Sequence, residues 1–225
     1  VRSGAGSRGD GPASGCGGRL LTDLGALFGS IDVYFFDQLL RGRIAPGMKV
    51  LDAGCGRGRN LVFLLREGYE VFALDPDAAA IDSVRALAKR LAPALPESSF
   101  RQEPVDASSF PDGCADVVLS NAVLHFARDE AHFLAMLRGT WRLLAPGGLF
   151  FCRLASSIGM EGRFRPLGGG RFAVPDGSER YLVDEAQLLT LTQELGGTLL
   201  DPLKTTLVQG QRCMTTWVLR KGATG

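Results

Sequence analysis

Met48-Lys49-Val50-Leu51-Asp52-Ala53-Gly54-Cys55-Gly56-Arg57-Gly58 runs a short apolar segment straight into alternating glycines. The apolar part lacks polar alternation, which is the pattern of a strand buried on both faces. Glycines at 54, 56 and 58 allow positive φ and let a ligand approach backbone that a Cβ would shield. Asn60 to Gly68 follows as a helix, with Leu61, Leu64 and Leu65 on one face and Gly68 as its stop. Glu70-Val71-Phe72-Ala73-Leu74-Asp75 is the next strand. Strand, glycine turn, helix, strand and a terminal acid about twenty residues on place a carboxylate where it accepts from ribose hydroxyls. The order predicts a site for a nucleoside-bearing cofactor.

The alternation continues downstream. A helix from about Asp77 carries Ile81, Val84, Ala88 and Leu91 and stops before Pro93. Strands are expected at Phe100 to Val105, Ala115 to Ser120 and Leu149 to Leu154, with a helix from Asp129 to Leu144 before the last. Residues 156–183 interrupt the pattern with Gly168-Gly169-Gly170 and an Asp176-Gly177 turn, the signal of a hairpin inside an insertion. Asp184 caps a helix through about Leu195, and Thr198 to Val208 with Arg212 to Leu219 read as a closing antiparallel pair. Upstream, Ile31, Phe35, Phe36, Leu39 and Leu40 form an amphipathic stripe. The fold class is therefore α/β: a Rossmann-like, doubly wound, mostly parallel seven-stranded sheet with an antiparallel edge pair.

The chain of 225 residues suits one domain, and its 45% apolar content suffices for a real core. Residues 1–19 are nearly all Gly, Ser and Arg and read as a disordered tail. That leaves 20–225 as a single domain, with a capping helix in 20–47 and a lid-like insertion at 156–183. The tail contains a GxGxxG match at Gly4, Gly6 and Gly9 and an Arg8-Gly9-Asp10 tripeptide. With no strand before the glycines and no helix after them, composition explains both. A net charge of +1 gives no field toward nucleic acid or anionic membrane. Five scattered cysteines without CxxC spacing argue against a disulfide framework and a zinc site, so no metal is expected. No apolar run approaches the ~18 residues of a membrane helix. A cytoplasmic location is the expectation.

The third glycine lies two residues after the second, whereas the dinucleotide fingerprint spaces it three after. Val50 to Gly58 resembles the first motif of class I S-adenosylmethionine-dependent methyltransferases. The resemblance continues in Ala73-Leu74-Asp75-Pro76, Val105-Asp106-Ala107, Phe110-Pro111-Asp112-Gly113, Leu119 to Phe126 and Trp141 to Leu149. As a set, these motifs are similar to those of small bacterial tellurite-resistance-like enzymes. The resemblance implies that Gly54, Cys55 and Gly56 pass under the methionine part of the cofactor and that Asp52 helps hold its amino group. It implies that Asp75 takes the ribose hydroxyls beside Pro76, that Asp106 accepts the adenine amino group, and that the Ala107 amide faces the ring. The Ser120 carbonyl is expected at the methionine ammonium. Ala115 departs from the bulky aromatic that often precedes the acid at Asp116.

The methyl acceptor is expected to be a small molecule. Leu119-Ser120-Asn121-Ala122 is not the Asn-Pro-Pro-aromatic motif that grips a flipped base, and no cysteine follows a proline. Tyr34, His125 and Arg153 are candidates for the acceptor pocket, with His125 read either as a general base or as a hydrogen-bonded packing histidine. His132 reads as a solvated helix residue. Arg153, Arg163, Arg165, Arg171 and Arg180 would suit an anion or serve as solvated charges. No residue is assigned to the chemistry itself, and the oligomeric state is not readable. Two alternatives stand beside methyl transfer: a non-enzymatic S-adenosylmethionine-binding sensor or partner subunit, and a nicotinamide-dependent oxidoreductase.

Overall fold

The computed structural model describes residues 23–223, so the tail expected at 1–19 lies outside the described residues. β1 (Lys49–Ala53) pairs in parallel with β2 (Glu70–Asp75) on one side and β4 (Ala115–Asn121) on the other. β3 (Phe100–Gln102) extends the sheet beyond β2, and β5 (Leu144–Ala155) extends it beyond β4. Antiparallel β11 (Arg212–Lys221) closes it, flanked along its outer edge by β9 (Gly197–Leu199) and β10 (Lys204–Val208). The order β10-β11-β5-β4-β1-β2-β3 occupies the seven expected positions, with β9 as an eighth strand on the same edge as β10.

That split corrects the continuous strand expected over Thr198 to Val208. At the break, Asp201 turns inward to meet Arg43 and Gln38 instead of continuing the ladder with its own face. Three other boundaries move. The third strand stops at Gln102, and a 3-10 turn at Val105–Ala107 follows Pro104, whose missing N–H cannot serve a ladder. The helix after the glycine turn is shorter than expected, α3 (Val62–Arg66). β5 begins at Leu144 rather than Leu149, with a register shift opposite Ala115 and Val117 that absorbs the Pro146-Gly147 turn.

Successive strand residues serve different cores. Val50, Val117, Phe151 and Val218 join one cluster, while Leu51, Val118, Phe150 and Trp217 join the other. Because side chains alternate across a strand, both faces are apolar and both must be covered. α2 (Val33–Leu40), α3 and α4 (Ala78–Leu91) cover the first face through Phe35, Leu64, Ile81 and Val84. α5 (Glu130–Leu143) and α6 (Glu185–Glu194) cover the second through Phe133, Leu137, Trp141 and Leu188. Aspartates start four of these five helices: Asp32, Asp77, Asp129 and Asp184 each accept a backbone N–H of the first turn. The N-terminal region holds two helices rather than one, α1 (Leu24–Phe28) and α2.

The insertion is a three-stranded antiparallel sheet of β6 (Arg165–Gly168), β7 (Arg171–Ala173) and β8 (Glu179–Tyr181), one strand more than the expected hairpin. Tyr181 anchors it by stacking on Phe133 of α5, centroids 4.6 Å apart. Gly170 must be glycine there, since a Cβ would fall 2.3 Å from the Tyr181 ring.

Candidate functional site

The sheet order reverses between β1 and β4, and ligands of such sheets bind where the strand ends diverge. A cavity of about 850 Å³ opens there. Its floor is the turn after β1. The amides of Gly54 and Cys55 both donate to the Leu74 carbonyl, at 2.8 and 3.1 Å. The Gly56 amide donates to Asp75 Oδ2 at 2.9 Å, and the Asp77 amide to Asp75 Oδ1 at 3.0 Å. Each glycine has its own reason. At Gly54 (φ 88°) a Cβ would lie 2.4 Å from Val123 Cγ2, so the two strand-end loops touch. At Gly58 (φ 79°) it would crowd Val84 of α4. At Gly56 it would meet nothing within 4 Å, and Gly56 lines the cavity.

Asp52 lies just below this turn, almost wholly buried, with no hydrogen-bond partner for either carboxylate oxygen. Burial pushes its pKa up to about 7; Arg59 opposes that shift and the charge of Asp75 adds to it. Asn121 is also buried with neither amide atom partnered, and it lines the cavity. Ala122 beside it has φ 64°, a left-handed backbone that costs a non-glycine residue about 1 kcal/mol or more. Its amide donates to the Arg153 carbonyl at 2.8 Å, which fixes that conformation.

Arginines line the cavity from the glycine turn to its far end. Arg153 of β5 reaches Asp32 Oδ2 at 3.4 Å, and Arg59 approaches the same oxygen at 3.7 Å. Arg180 of β8 lies 4.8 Å above the Phe126 ring, and Arg212 of β11 faces Asp176 at 3.8 Å. His125 Nδ1 accepts the Ala155 amide hydrogen at 3.1 Å, so its own proton sits on Nε2. Burial, with Arg180 and Arg153 adding to it, lowers the His125 pKa to about 4 and keeps the ring neutral. His132 Nδ1 accepts the Arg128 amide hydrogen, and its Nε2 faces Asp106 Oδ2 at 3.7 Å.

Of the residues expected at the site, Gly54, Cys55, Gly56, Asp75, Pro76, Asp106, His125 and Arg153 line the cavity. Asp52, Ala107, Ser120 and Tyr34 do not. Ser120 is buried with its hydroxyl unpartnered, and its neighbour Asn121 takes the lining position. Tyr34 stands behind Arg153, whose guanidinium lies 5.3 Å from its ring, and its hydroxyl meets Thr206 at 2.6 Å. His132, expected in solvent, lines the cavity instead, because Asp129 caps α5 and turns its first turn inward. Among the insertion arginines only Arg180 reaches the lining; Arg163, Arg165 and Arg171 do not, and Arg171 pairs with Glu179 at 2.9 Å. Asn121, Arg59 and Arg212 were missed. Only Asn121, the last residue of β4, carried a local signal; Arg212 arrives through tertiary pairing of β11.

Residues 51–152 match the family model described as a methyltransferase domain. Ubiquinone biosynthesis O-methyltransferase of Methylocella silvestris is 35% identical over 119 residues, 51% of this chain and 44% of that protein. Cypemycin N-terminal methyltransferase of a Streptomyces species is 30% identical over 176 residues, 77% of this chain and 65% of that protein. The chain spans about half the length of most of the curated relatives it matches. Among solved structures, 1,6-didemethyltoxoflavin-N1-methyltransferase of Burkholderia thailandensis, crystallised with S-adenosylhomocysteine, superposes with a TM-score of 0.63 at 23% identity. That likeness covers 82% of this chain and 75% of the other, and it is one of fold. With the glycine turn, the terminal acid and the sheet order already in place, residues 51–152 match a methyltransferase domain, and the sheet has the Rossmann-like fold of such enzymes.

Proposed function

We propose that the protein transfers a methyl group from S-adenosylmethionine to a small-molecule nucleophile. The observation that carries this reading is the orphaned, buried carboxylate of Asp52 beneath a glycine turn open to the cavity. A buried anion without a partner is costly, and a cationic ligand group would relieve it. The methionine ammonium is such a group, so the residues present fit this cofactor. When bound, the cofactor supplies a methyl group already activated by sulfonium.

In this reading Gly54, Cys55 and Gly56 run under the methionine part, and Asp52 with the Ser120 carbonyl faces its ammonium. Asp75, held rigid by the Gly56 and Asp77 amides, takes the ribose hydroxyls beside Pro76. Asp106 and the Ala107 amide take the adenine edge, with Asp106 oriented by His132. The protein's remaining work is to align donor and acceptor and to exclude water. The sheet of β6–β8 contributes Val174, Asp176, Ser178 and Arg180 to the cavity wall, which supports its reading as a lid over the acceptor end. A cavity of about 850 Å³ suits a small molecule better than a polymer. The kinship to tellurite-resistance-like enzymes rests on the motif set alone. Four free cysteines among the described residues fit a reducing compartment.

Calorimetry with S-adenosylhomocysteine and, separately, with a nicotinamide dinucleotide tests the cofactor; binding of the dinucleotide alone would overturn the reading. Incubation with methyl-labelled cofactor and a panel of acids, amines, phenols and thiols then tests transfer. Tight homocysteine-nucleoside binding without transfer to any of them would leave a binding protein rather than an enzyme.

A further inference from the structure

Resting on that reading, we infer that the methyl acceptor is a small carboxylic acid, bound as its carboxylate between Arg153 and Arg180 and methylated on that carboxylate. Two observations converge on it.

The first is that every base lining the cavity is already committed. Asp75 accepts two backbone amides, and Asp106 faces His132. Asp176 accepts the Ser178 amide and hydroxyl and faces Arg212, contacts that outweigh burial and hold its carboxyl below the usual range. Both histidines spend Nδ1 on backbone amides. The thiols of Cys55 and Cys213 are pushed up, chiefly by burial. His125, at the acceptor end, therefore presents Nε2–H, a donor. An acceptor that must lose a proton before attack finds nothing here to take it, whereas a carboxylate arrives deprotonated.

The second is the surplus of cation and donor at that end. Arg180 has no carboxylate within salt-bridge distance among the described residues; it donates to the Glu179 carbonyl, lies over the Phe126 ring and acts on Asp176 only at longer range. Arg153 Nε is buried and unpartnered, although its Nη1 is 3.4 Å from Asp32. Arg180 lies over the Phe126 ring, whose centroid is 4.6 Å from that of His125, and Arg153 lines the same cavity as all three. Two guanidinium groups and an imidazole N–H form the donor set that a carboxylate, with two oxygens and about four lone-pair sites, is built to fill.

The chemistry balances without a proton. A carboxylate oxygen lone pair forms the new O–CH3 bond while the C–S bond breaks and its electrons remain on sulfur. The sulfonium becomes a neutral thioether and the carboxylate a neutral ester. Two opposite charges vanish together, which a desolvated cavity favours, and the ester no longer holds the arginines.

The test uses the intact protein saturated with S-adenosylhomocysteine, titrated with benzoate, succinate and citrate and with the matching neutral amides. Carboxylates should raise the melting temperature and the amides should not, and Arg180→Gln should weaken the carboxylate effect about tenfold while leaving homocysteine-nucleoside affinity unchanged. Arg180 lies on the rim, so this variant should fold; Arg180→Lys should recover part of the effect. With labelled cofactor, the product should release its label as volatile methanol on mild alkaline treatment, as methyl esters do. Equal stabilisation by acids and amides, no stabilisation by any of the acids, or an alkali-stable methylated product would overturn the inference. If S-adenosylhomocysteine itself fails to bind, the proposed function falls first.

Discussion

At the Gly54–Gly58 end of the cavity, backbone amides and positive-φ glycines shape the wall; at the His125–Arg180 end, long side chains from separate segments do. The first end lies between strands buried on both faces and has little freedom to change without loss of fold. The second is carried on the turn after β4, on β5, on the insertion and on the facing ends of β10 and β11, and in the insertion exposed residues outnumber buried ones. In the proposed reading a constant cofactor meets backbone and a variable acceptor meets replaceable side chains, a division of labour that would let one scaffold change substrate by changing loops.

The comparison breaks most sharply at Gly54. Gly54→Ala combines a positive φ with a Cβ 2.4 Å from Val123 and should cost about 2–4 kcal/mol, lowering the melting temperature by roughly 5–15 °C. Differential scanning calorimetry checks it; an unchanged transition would mean that the two strand-end loops can part freely. Asp75→Ala comes next. It should weaken cofactor binding by about 1.5–3 kcal/mol with little change in the acceptor's KM, and unchanged affinity by titration calorimetry would remove Asp75 from the site.

At the acceptor end, the pH response is the sharper tool. His125 has a folded pKa of about 4, below its ordinary value, so the unfolded chain takes up a proton that the folded chain refuses. Stability from this group is therefore complete above about pH 6.5 and is lost as the pH falls toward 4, about 1–2 kcal/mol by pH 5. Denaturant titrations at several pH values should show that slope, and His125→Gln should flatten it. The smallest effect belongs to Arg171→Ala. This arginine pairs with Glu179 on the outer part of the insertion, so stability should move by less than about 0.5 kcal/mol and acceptor KM not at all. A raised KM would carry the pocket further into the insertion than β8.

The same division explains what the sequence reveals. The glycine turn, Asp75, Pro76 and Asp106 are legible because each lies at a strand end or beside one, at a spacing that local geometry dictates. His132 is not, since its inward turn depends on how Asp129 seats α5. Arg180 and Arg212 come within reach of one cavity only because β8 is pinned through Tyr181 and β11 runs antiparallel beside β5. Nothing local distinguishes Arg180 from Arg165 or Arg171, which sit on the same small sheet and face elsewhere. The split of the edge strand was hidden for a similar reason: Asp201 departs from the ladder to satisfy Gln38 of α2 and Arg43 just beyond it, far away in sequence.

That attachment between α2 and the outer edge of the sheet has a kinetic consequence. Tyr34 and Thr206 are 172 residues apart, and Gln38 and Asp201 are 163 apart. Joining them closes very large loops, and loop-closure entropy must be overcome before the contact rewards it. During synthesis, β1, β2 and β4 with the glycine turn are complete long before Asp201 and Thr206 emerge. α2 can already seat Phe35 against Phe151 of β5, but its polar links to Thr206 and Asp201 wait until β11 slots between β5 and β10. A nascent chain is therefore most exposed to misassociation at the open edge of β5 in that interval, away from the glycine turn.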